Sequence, residues 1–587
     1  MVPRPQTRVG IELDVPATMR DGTVLRANIY RPDDGGAGTY PVLLTRLPYG
    51  KDLPMGASVL DPVQAARRGY IVVVQDVRGT FTSEGTWFPL MNEGPDGADT
   101  VAWAAALPGS NGSVGMYGAS YFGFTQWAAA GEHPPALRAM APMIAWDHPD
   151  NGVTSRGGVL ELGLQGNWHL LKGLDQLVRR YRNEPQAIGR AFATLVSELN
   201  RLPEAGYAEL PLERFGPLAR LGLDEAVNYS IARANDPEAA LPGDALHAYE
   251  RTNIPVLHIG GWYDVFLNGT LHNFHGMRAL GREGQHLLIG PWTHGNVSAV
   301  QGDLDFGFAA SGMLIDTQFD LMSYQLTFFD RWLKDAPNGW DATPVVKYFV
   351  MGTNLWKSAD SWPPVGVTEQ CWYLHSDGRA NSGIGDGRLS RERPESEPGD
   401  TYVYDPEQPV PTIGGATLMH ALFKAGPRDQ QPIEQRDDVL VYTSARLETP
   451  LEVTGPVRVV LYVRTDAPDT DFMARLVDVY PDGRAITVTD GITRMRYRNG
   501  RYTYAEPLSP DRSYQIEIDL WSTSIVFLPG HSLRVEVTSS SFPRWERNLN
   551  TGADSATTTE MRAARQTILH DSTQPSHLVL SLPANDE

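Results

Sequence analysis

Residues 115–124 read GMYGASYFGF and place Ser120 between two glycines. The run GSVGMYG before the serine predicts a strand, and TQWAAAG after it predicts a helix, so the chain turns sharply at Ser120. A strand–turn–helix that presents a serine hydroxyl normally reads G-x-S-x-G. Here Gly123 stands one position late, and Phe122 occupies the place of the second glycine. This stretch is therefore either an ordinary turn or an unusual nucleophile elbow.

The sequence on both sides of this stretch predicts an α/β sheet. Short continuous apolar runs, typical of strands buried on both faces, alternate with helical patterns. The predicted strands are YPVLLTRLPYG, YIVVVQDVRG, GSVGMYGAS, IPVLHIGG and QHLLIGPWTHG. Asp21-Gly22 adds a hairpin turn before them. The serine then lies at the end of a central strand.

The chain of 587 residues is too long for one hydrophobic core, and its patterns change three times. We predict an α/β-hydrolase core in two parts, residues 1–146 and 241–354. A helical cap, residues 147–240, is inserted between them, because Leu170, Leu174 and Leu177 recur at helical spacing. Residues 355–587 carry short strands between Pro and Gly turns, which predicts a β-sandwich of the jelly-roll type.

Composition excludes several classes of function. The net charge of −20 argues against a nucleic-acid partner, which would require clustered Lys and Arg. No apolar run is long enough for a membrane span, and a single cysteine excludes an intrachain disulfide. The polar N-terminal stretch leads us to expect no leader sequence. We therefore expect a cytoplasmic protein that acts on a small molecule, without a metal or a cofactor.

Three residues at predicted strand ends form a candidate catalytic triad. A serine nucleophile needs a base, and the base needs an acid to fix its tautomer. In α/β-hydrolase folds the order along the chain is Ser, Asp or Glu, His. Ser120, Asp264 and His294 follow three predicted strands in that order. We predict these as nucleophile, acid and base.

Other acids and histidines compete for these roles. Asp76 precedes the serine, against the expected order, whereas Asp147 follows the next strand and remains the alternative acid. Among the histidines, His258 lies within a predicted strand, and others lie in a predicted helix or near the cap: His148, His272 and His275.

The charge that develops on the substrate oxygen also needs hydrogen-bond donors. The backbone N–H of Tyr121 is one, at the start of the helix after Ser120. The loop LPYGKD follows an early strand, where a second donor is expected, and the hydroxyl of Tyr49 is available there. A packed loop aromatic is the alternative reading of Tyr49.

These motifs together resemble the bacterial cocaine esterase and X-Pro dipeptidyl-peptidase family of serine hydrolases. The matching pieces span almost the whole chain in the same order: MRDGTVLRANIYRP, LPYGKD, QDVRGTFTSEG, GMYGASYFGFTQW, GGWYDVF, GPWTH, DVLVYTSARL and VFLPGHSLRVEVTSSSFPRWERNLNTG. In this family the elbow reads G-x-S-Y-x-G, which explains the late Gly123. The resemblance implies the same triad, Ser120, Asp264 and His294, and an oxyanion hole formed by Tyr49 and Tyr121.

Within the family the chain resembles the cocaine esterases, which implies an acyl pocket of Trp168, Phe266, Leu418 and Met419. The leading hypothesis is hydrolysis of carboxylic esters with aromatic or medium aliphatic acyl groups, with a homodimer as the expected assembly. The alternative is an X-Pro dipeptidyl-peptidase or α-amino-acid ester hydrolase, which must bind an ammonium group; Glu161 and Asp147 are candidate carboxylates. A carbohydrate-binding role for the jelly roll is a third hypothesis.

Overall fold

The structure is a computed structural model that describes residues 8–36, 38–233, 243–315, 319–500 and 503–584. The cap boundary predicted at residues 240 and 241 lies outside the described residues, as do both chain ends.

The first part of the core begins with an antiparallel hairpin and continues as alternating strands and helices. Its elements are β1 (Arg8–Thr18), β2 (Val24–Asp33), β3 (Tyr40–Leu47), α1 (Pro62–Arg67), β4 (Ile71–Asp76), α2 (Glu93–Ala105), β5 (Ser110–Ala119), α3 (Tyr121–Gly131) and β6 (Leu137–Met143). The predicted turn at Asp21-Gly22 joins β1 to β2, and Gly22 donates its N–H to the carbonyl of Met19.

The next segment of the chain is mainly helical. Its described residues form a short hairpin and a series of α-helices: β7 (Ser155–Arg156), β8 (Val159–Leu160), α4 (Leu162–Arg180), α5 (Pro185–Arg201), α6 (Gly216–Ala219), α7 (Glu225–Arg233) and α8 (Ala248–Arg251). The helix predicted around Leu170 is α4, and Leu170 is buried in one apolar cluster with Leu195 of α5. Phe192 and Leu171 point outward and are about half exposed.

The second part of the core returns to the same sheet. Its elements are β9 (Val256–Tyr263), α9 (Leu267–Ala279), β10 (Gln285–Thr293), β11 (Val300–Gln301), β12 (Leu304–Asp305), α10 (Leu321–Lys334), β13 (Val346–Val350) and β14 (Leu355–Ala359). The core sheet extends beyond the predicted boundary at residue 354, because β14 folds back on β13 as an antiparallel hairpin. Asn354 makes this turn with a positive φ of 56°.

The core strands form one sheet in the order β1-β2-β4-β3-β5-β6-β9-β10-β13-β14. The pairs from β4 to β13 are parallel, and the outer strands at both ends are antiparallel. Parallel strands point the same way, so the ends of β5, β9 and β10 meet at one edge of the sheet. This confirms the predicted α/β fold and brings the three strand ends together.

The C-terminal region is a β-rich domain that fits a sandwich. Its strands are β15 (Thr368–His375), β16 (Arg388–Ser390), β17 (Asp400–Tyr404), β18 (Leu440–Ser444), β19 (Leu451–Thr465), β20 (Asp471–Val479), β21 (Ala485–Arg494), β22 (Tyr514–Phe527), β23 (Ser532–Thr538), β24 (Ala564–Leu569) and β25 (His577–Leu582). All pairs are antiparallel except β16 with β18.

Within the described ranges, no helix has the length and apolar character needed to cross a membrane.

Buried charged groups hold the sandwich against the cap. The Arg156 guanidinium lies 3.6 Å from the ring centroid of Trp521, and the Trp545 indole N–H donates to Glu161 at 2.8 Å. A buried cation or carboxylate is tolerated when an opposite charge lies close to it. Asp490 lies 3.6 Å from Arg156, and Arg544 lies 3.8 Å from Glu161. These contacts place the sandwich beside the hairpin that leads into α4.

Candidate active site

Ser120 occupies a strained turn between β5 and α3. Its φ of 56° and ψ of −124° lie in a region that residues with a side chain rarely adopt. Its N–H donates to the carbonyl of Met143 at 2.9 Å, which fixes the turn against the end of β6. The hydroxyl is therefore held at the edge of the sheet, at the N-terminus of a helix.

The late glycine has a steric reason. A Cβ atom at Gly123 would lie 2.9 Å from both the carbonyl oxygen of Met143 and the Cβ of Ala145. Helix α3 thus packs closely against the end of β6 at residue 123, where only glycine fits. Phe122, at the usual glycine position, is buried in the apolar cluster that the sheet forms with α10.

The structure brings together the three residues predicted as the triad. The Ser120 Oγ lies 3.0 Å from Nε2 of His294, and Nδ1 of His294 lies 2.6 Å from Oδ1 of Asp264. Asp264 is fully buried, and its Oδ2 accepts the N–H of Phe266 at 3.1 Å. Because a carboxylate only accepts, the neutral imidazole carries its hydrogen on Nδ1 and leaves Nε2 to accept from the serine.

Tyr49 and Tyr121 lie in the same cavity as Ser120. The hydroxyl of Tyr49 accepts the indole N–H of Trp168 at 3.0 Å, and burial raises the pKa of Tyr49 to about 12. The hydroxyl therefore keeps its proton at neutral pH and can donate it. The N–H of Tyr121 belongs to the first turn of α3, where it has no acceptor within the helix.

A cavity of about 60 Å³ opens beside Ser120 and has an uncharged lining. Trp168, Phe266 and Leu418 line it, as the resemblance implies. Met419 is not among its lining residues and instead packs in the apolar cluster of the cap. Residues that the sequence reasoning missed also line the cavity: Leu90, Trp146, Leu164, Gln165 and His169. Burial lowers the pKa of His169 to about 4, so this ring is neutral at neutral pH.

Of these missed residues, only Trp146 carried a usable signal in the sequence, since it lies just after a predicted strand and next to Asp147. The others come from a helix of the cap or from a loop, where the pattern does not reveal which face meets the cavity.

The competing acids serve elsewhere. Asp147 is buried, and its two oxygens bind Nδ1 of His272 at 3.0 Å and the amide of Asn151 at 2.8 Å. Asp76 accepts the N–H of Lys51 at 2.7 Å, and burial raises its pKa to about 6. Asp76 thus holds the loop that carries Tyr49.

The competing histidines likewise have other surroundings. His258 is buried in the core and bonds Gln285 at 3.1 Å, while burial lowers its pKa to about 3. His272 and His275 are exposed on α9, and His148 lies beside Asp150. None of these four lines the cavity beside Ser120. In the part of the chain that the structure describes, no group of three or more His, Cys, Asp or Glu could hold a metal ion.

A strained serine, a histidine and a buried aspartate at the ends of parallel strands define a serine-hydrolase type of site on an α/β fold. Comparisons with known proteins agree with this class. X-Pro dipeptidyl-peptidase (S15 family) matches residues 21–296, and the X-Pro dipeptidyl-peptidase C-terminal non-catalytic domain matches residues 338–579. The cocaine esterase of Rhodococcus sp. (strain MB1 Bresler) is 37% identical over 97% of this chain and 98% of its own. The chain therefore belongs to the bacterial cocaine esterase and X-Pro dipeptidyl-peptidase family of α/β-hydrolases.

Two solved structures share the whole architecture. An aminopeptidase from a marine sediment Thaumarchaeota archaeon is 25% identical, with a TM-score of 0.79 over 99% of this chain and 97% of its own. An α-amino acid ester hydrolase is 24% identical, with a TM-score of 0.80 over 98% of this chain and 97% of its own. The fold thus extends through core, cap and sandwich in proteins that differ in substrate.

Proposed function

We propose that the protein hydrolyses carboxylic esters with uncharged aromatic or medium aliphatic acyl groups. The main support is the continuous chain of hydrogen bonds from Ser120 through His294 to Asp264. The cavity beside Ser120 has no acidic or basic lining residue apart from the neutral His169. The esterase name of the 37% identical relative supports the same reaction.

The geometry supports an acyl-enzyme mechanism. Ser120 Oγ attacks the ester carbonyl carbon while His294 Nε2 takes the hydroxyl proton, and Asp264 stabilises the imidazolium that forms. The resulting oxyanion accepts hydrogen bonds from the Tyr121 N–H and the Tyr49 hydroxyl. His294 then gives the proton to the leaving alcohol as the C–O bond breaks. Water then attacks the acyl carbon while His294 takes its proton, and His294 returns this proton to Ser120 Oγ as the acyl–oxygen bond breaks and the acid leaves.

The cavity lining supports an apolar acyl group. Trp168, Phe266 and Leu418 present apolar surface beside Ser120, and each square ångström of apolar surface removed from water contributes about 25 cal/mol. An ammonium group in this cavity would meet no carboxylate and would cost several kcal/mol. These properties favour acyl esters over aminoacyl substrates.

The peptidase alternative rests on the names of the S15 family and of the archaeal aminopeptidase. It requires a carboxylate that faces the substrate ammonium. Glu161 bonds Trp545 at the junction with the sandwich, and Asp147 bonds His272. Neither lines the cavity, so the structure offers this alternative no ammonium partner among the described residues.

A carbohydrate-binding role for the sandwich has less support. Leu418 from this domain lines the cavity, and Trp545 is fully buried where it holds Glu161. The sandwich is therefore used to complete the site. Retention of residues 355–587 on a polysaccharide column would favour the binding role.

The test compares substrates that share a leaving group. We expect kcat/KM for 4-nitrophenyl butyrate and benzoate to exceed that for the 4-nitrophenyl ester of alanine by about 10²-fold, the effect of a few kcal/mol. Gly-Pro and Ala-Pro 4-nitroanilides should be poorer still. A fluorophosphonate should label Ser120, and Ser120→Ala should abolish both labelling and turnover. Faster cleavage of the alanine ester or of the prolyl anilides would overturn the proposal.

A cytoplasmic location is also a proposal. The single cysteine supports it, because secreted proteins more often carry disulfides. Fractionation of the native host with a fluorophosphonate label would test it.

A further inference from the structure

Lys172 is a buried lysine beside the catalytic cavity that the mechanism above does not use. Its side chain lies on α4 with only 5% of the residue exposed. Its ammonium group donates to the carbonyl oxygen of Pro48, the residue before Tyr49. Three aromatic rings surround the charge, with centroids 5.5 Å (Tyr49), 5.4 Å (Phe81) and 5.2 Å (Trp87) from Nζ.

No carboxylate among the described residues forms an ion pair with this ammonium group. The two acids that act on it electrostatically are Asp175 on the same helix and Asp76 at the end of β4. Each is engaged elsewhere, because Asp175 accepts the N–H of Phe81 and Asp76 accepts the N–H of Lys51. A buried cation held by a carbonyl and aromatic faces, and not by an acid, needs an explanation beyond charge pairing.

The geometry of helix α4 explains why this lysine is buried here. Trp168 and Lys172 are four residues apart and so lie on the same face of α4. Trp168 donates to the hydroxyl of Tyr49 at 3.0 Å, while Lys172 contacts the ring face and the preceding carbonyl. One turn of α4 therefore contacts Tyr49 both at its hydroxyl, through Trp168, and at its ring and backbone, through Lys172.

We propose that Lys172 is a positioning residue of the oxyanion hole, whose ammonium group fixes the Pro48–Tyr49 segment so that the Tyr49 hydroxyl faces the developing oxyanion. The proposal rests on the ester hydrolysis proposed above. It assigns to the cap a share in catalysis that goes beyond covering the substrate.

The proposal predicts a pH dependence of kcat. Burial lowers the pKa of Lys172 to about 8, against the opposing effect of Asp175 and Asp76. Above this pH the amine loses its charge and with it the charge-assisted hydrogen bond and the cation–π contacts. Of the titratable groups around it, Tyr49 stays protonated because its pKa is about 12, and Asp76, whose pKa burial raises to about 6, is ionised on both sides of pH 8. We therefore expect kcat to fall above about pH 8 with the loss of one proton.

Stability should change in the opposite direction, which separates this effect from unfolding. The pKa of Lys172 is about 8 in the folded protein and 10.5 ordinarily, so the unfolded chain binds more protons between these values. This group's contribution to the free energy of unfolding therefore rises with pH in that window. A fall in kcat without a fall in melting temperature is the expected signature.

The experiment measures kcat, KM and melting temperature for 4-nitrophenyl butyrate hydrolysis at a series of pH values on both sides of pH 8. In Lys172→Met we expect a kcat about tenfold lower at pH 7, a KM within about twofold, and no further fall above pH 8. Lys172→Arg retains a charge at all these pH values, so its fall in kcat should disappear or move to higher pH.

Lys334 provides a matched control. Its Nζ lies 3.6 Å from the ring centroid of Tyr70 and donates to the carbonyl of Arg68. Unlike Lys172 it also pairs with a carboxylate, Asp330, at 2.7 Å, and its helix α10 contributes no residue to the cavity beside Ser120. Lys334→Met should lower the melting temperature and leave the kcat profile unchanged.

A wild-type kcat that stays constant through pH 8 and beyond would overturn the proposal, even if Lys172→Met does not fold. So would a folded Lys172→Met variant with the wild-type kcat and profile. Failure of the proposed function looks different, because the wild type would then cleave the alanine ester or the prolyl anilides faster than 4-nitrophenyl butyrate, whatever the pH dependence of kcat.

Discussion

Two neighbouring regions of the core each hold a buried aspartate that bonds Nδ1 of a histidine near the end of a parallel strand. Asp264 follows β9 and bonds His294 at 2.6 Å, whereas Asp147 follows β6 and bonds His272 at 3.0 Å. The histidines differ in their surroundings. The His294 side chain is 9% exposed, and its second nitrogen reaches Ser120, whereas the His272 side chain is 52% exposed on α9.

The difference shows that an aspartate–histidine pair is not a catalytic unit by itself. Catalysis also requires a nucleophile at the second nitrogen and a cavity that takes the acyl group. His294 has both, because β10 lies beside β9 and its end faces the turn at Ser120. We infer that the Asp147–His272 pair stabilises the fold around α9 and takes no part in the reaction.

The largest expected effect separates the two aspartates directly. Asp264→Asn should lower kcat about 10⁴-fold, because an amide that donates to Nδ1 leaves the imidazole in the wrong tautomer. The same change at Asp147 should keep kcat within about threefold, a size typical of an indirect effect. Both variants need circular dichroism spectra to show that they are folded. An equally large loss in Asp147→Asn would make Asp147 the catalytic acid.

The catalytic residues could be predicted from the sequence more accurately than the residues that line the cavity. Ser120, Asp264 and His294 each follow an apolar run, and the ends of parallel strands meet at one sheet edge, so their proximity follows from the pattern. For Trp168 and Lys172 the sequence shows only that both lie on one face of a helix. Which residues that face contacts depends on how the cap packs on the core. Met419 adjoins Leu418 in sequence but packs in the cap cluster, because adjacent side chains in a loop can point in different directions.

A smaller effect is expected at Tyr49, which lines the same cavity as Ser120 and belongs to neither aspartate–histidine pair. Tyr49→Phe removes one oxyanion donor and should lower kcat about 10²-fold with little change in KM. Tyr70→Phe is the matched control, because its buried hydroxyl bonds Asp330 at 2.7 Å outside the cavity. The control should lose stability and keep its kcat. If Tyr49→Phe stays within about threefold of the wild type, the second donor is another group.

The smallest expected effect tests the structural role of the second pair through its pH dependence. The hydrogen bond to Asp147 raises the pKa of His272 above 6.5, and His272 lowers the pKa of Asp147 below 3.8 although burial opposes this. The contribution of His272 to stability is therefore fully present below pH 6.5 and is lost as pH rises through its folded pKa. The contribution of Asp147 is present above pH 3.8 and is lost as pH falls through its folded pKa.

The pair should thus stabilise the protein most between these two values, near pH 5. His272→Gln retains an amide donor but cannot be charged, so it should unfold more easily than the wild type at pH 5, by about 0.5 kcal/mol for a pair whose histidine is half exposed. The difference should vanish at pH 9, where the wild-type ring is neutral as well. Denaturant melts at both pH values measure it, with kcat/KM at pH 7 expected to match the wild type. A difference that persists at pH 9, or a loss of activity in this variant, would mean that His272 does more than carry a charge for Asp147.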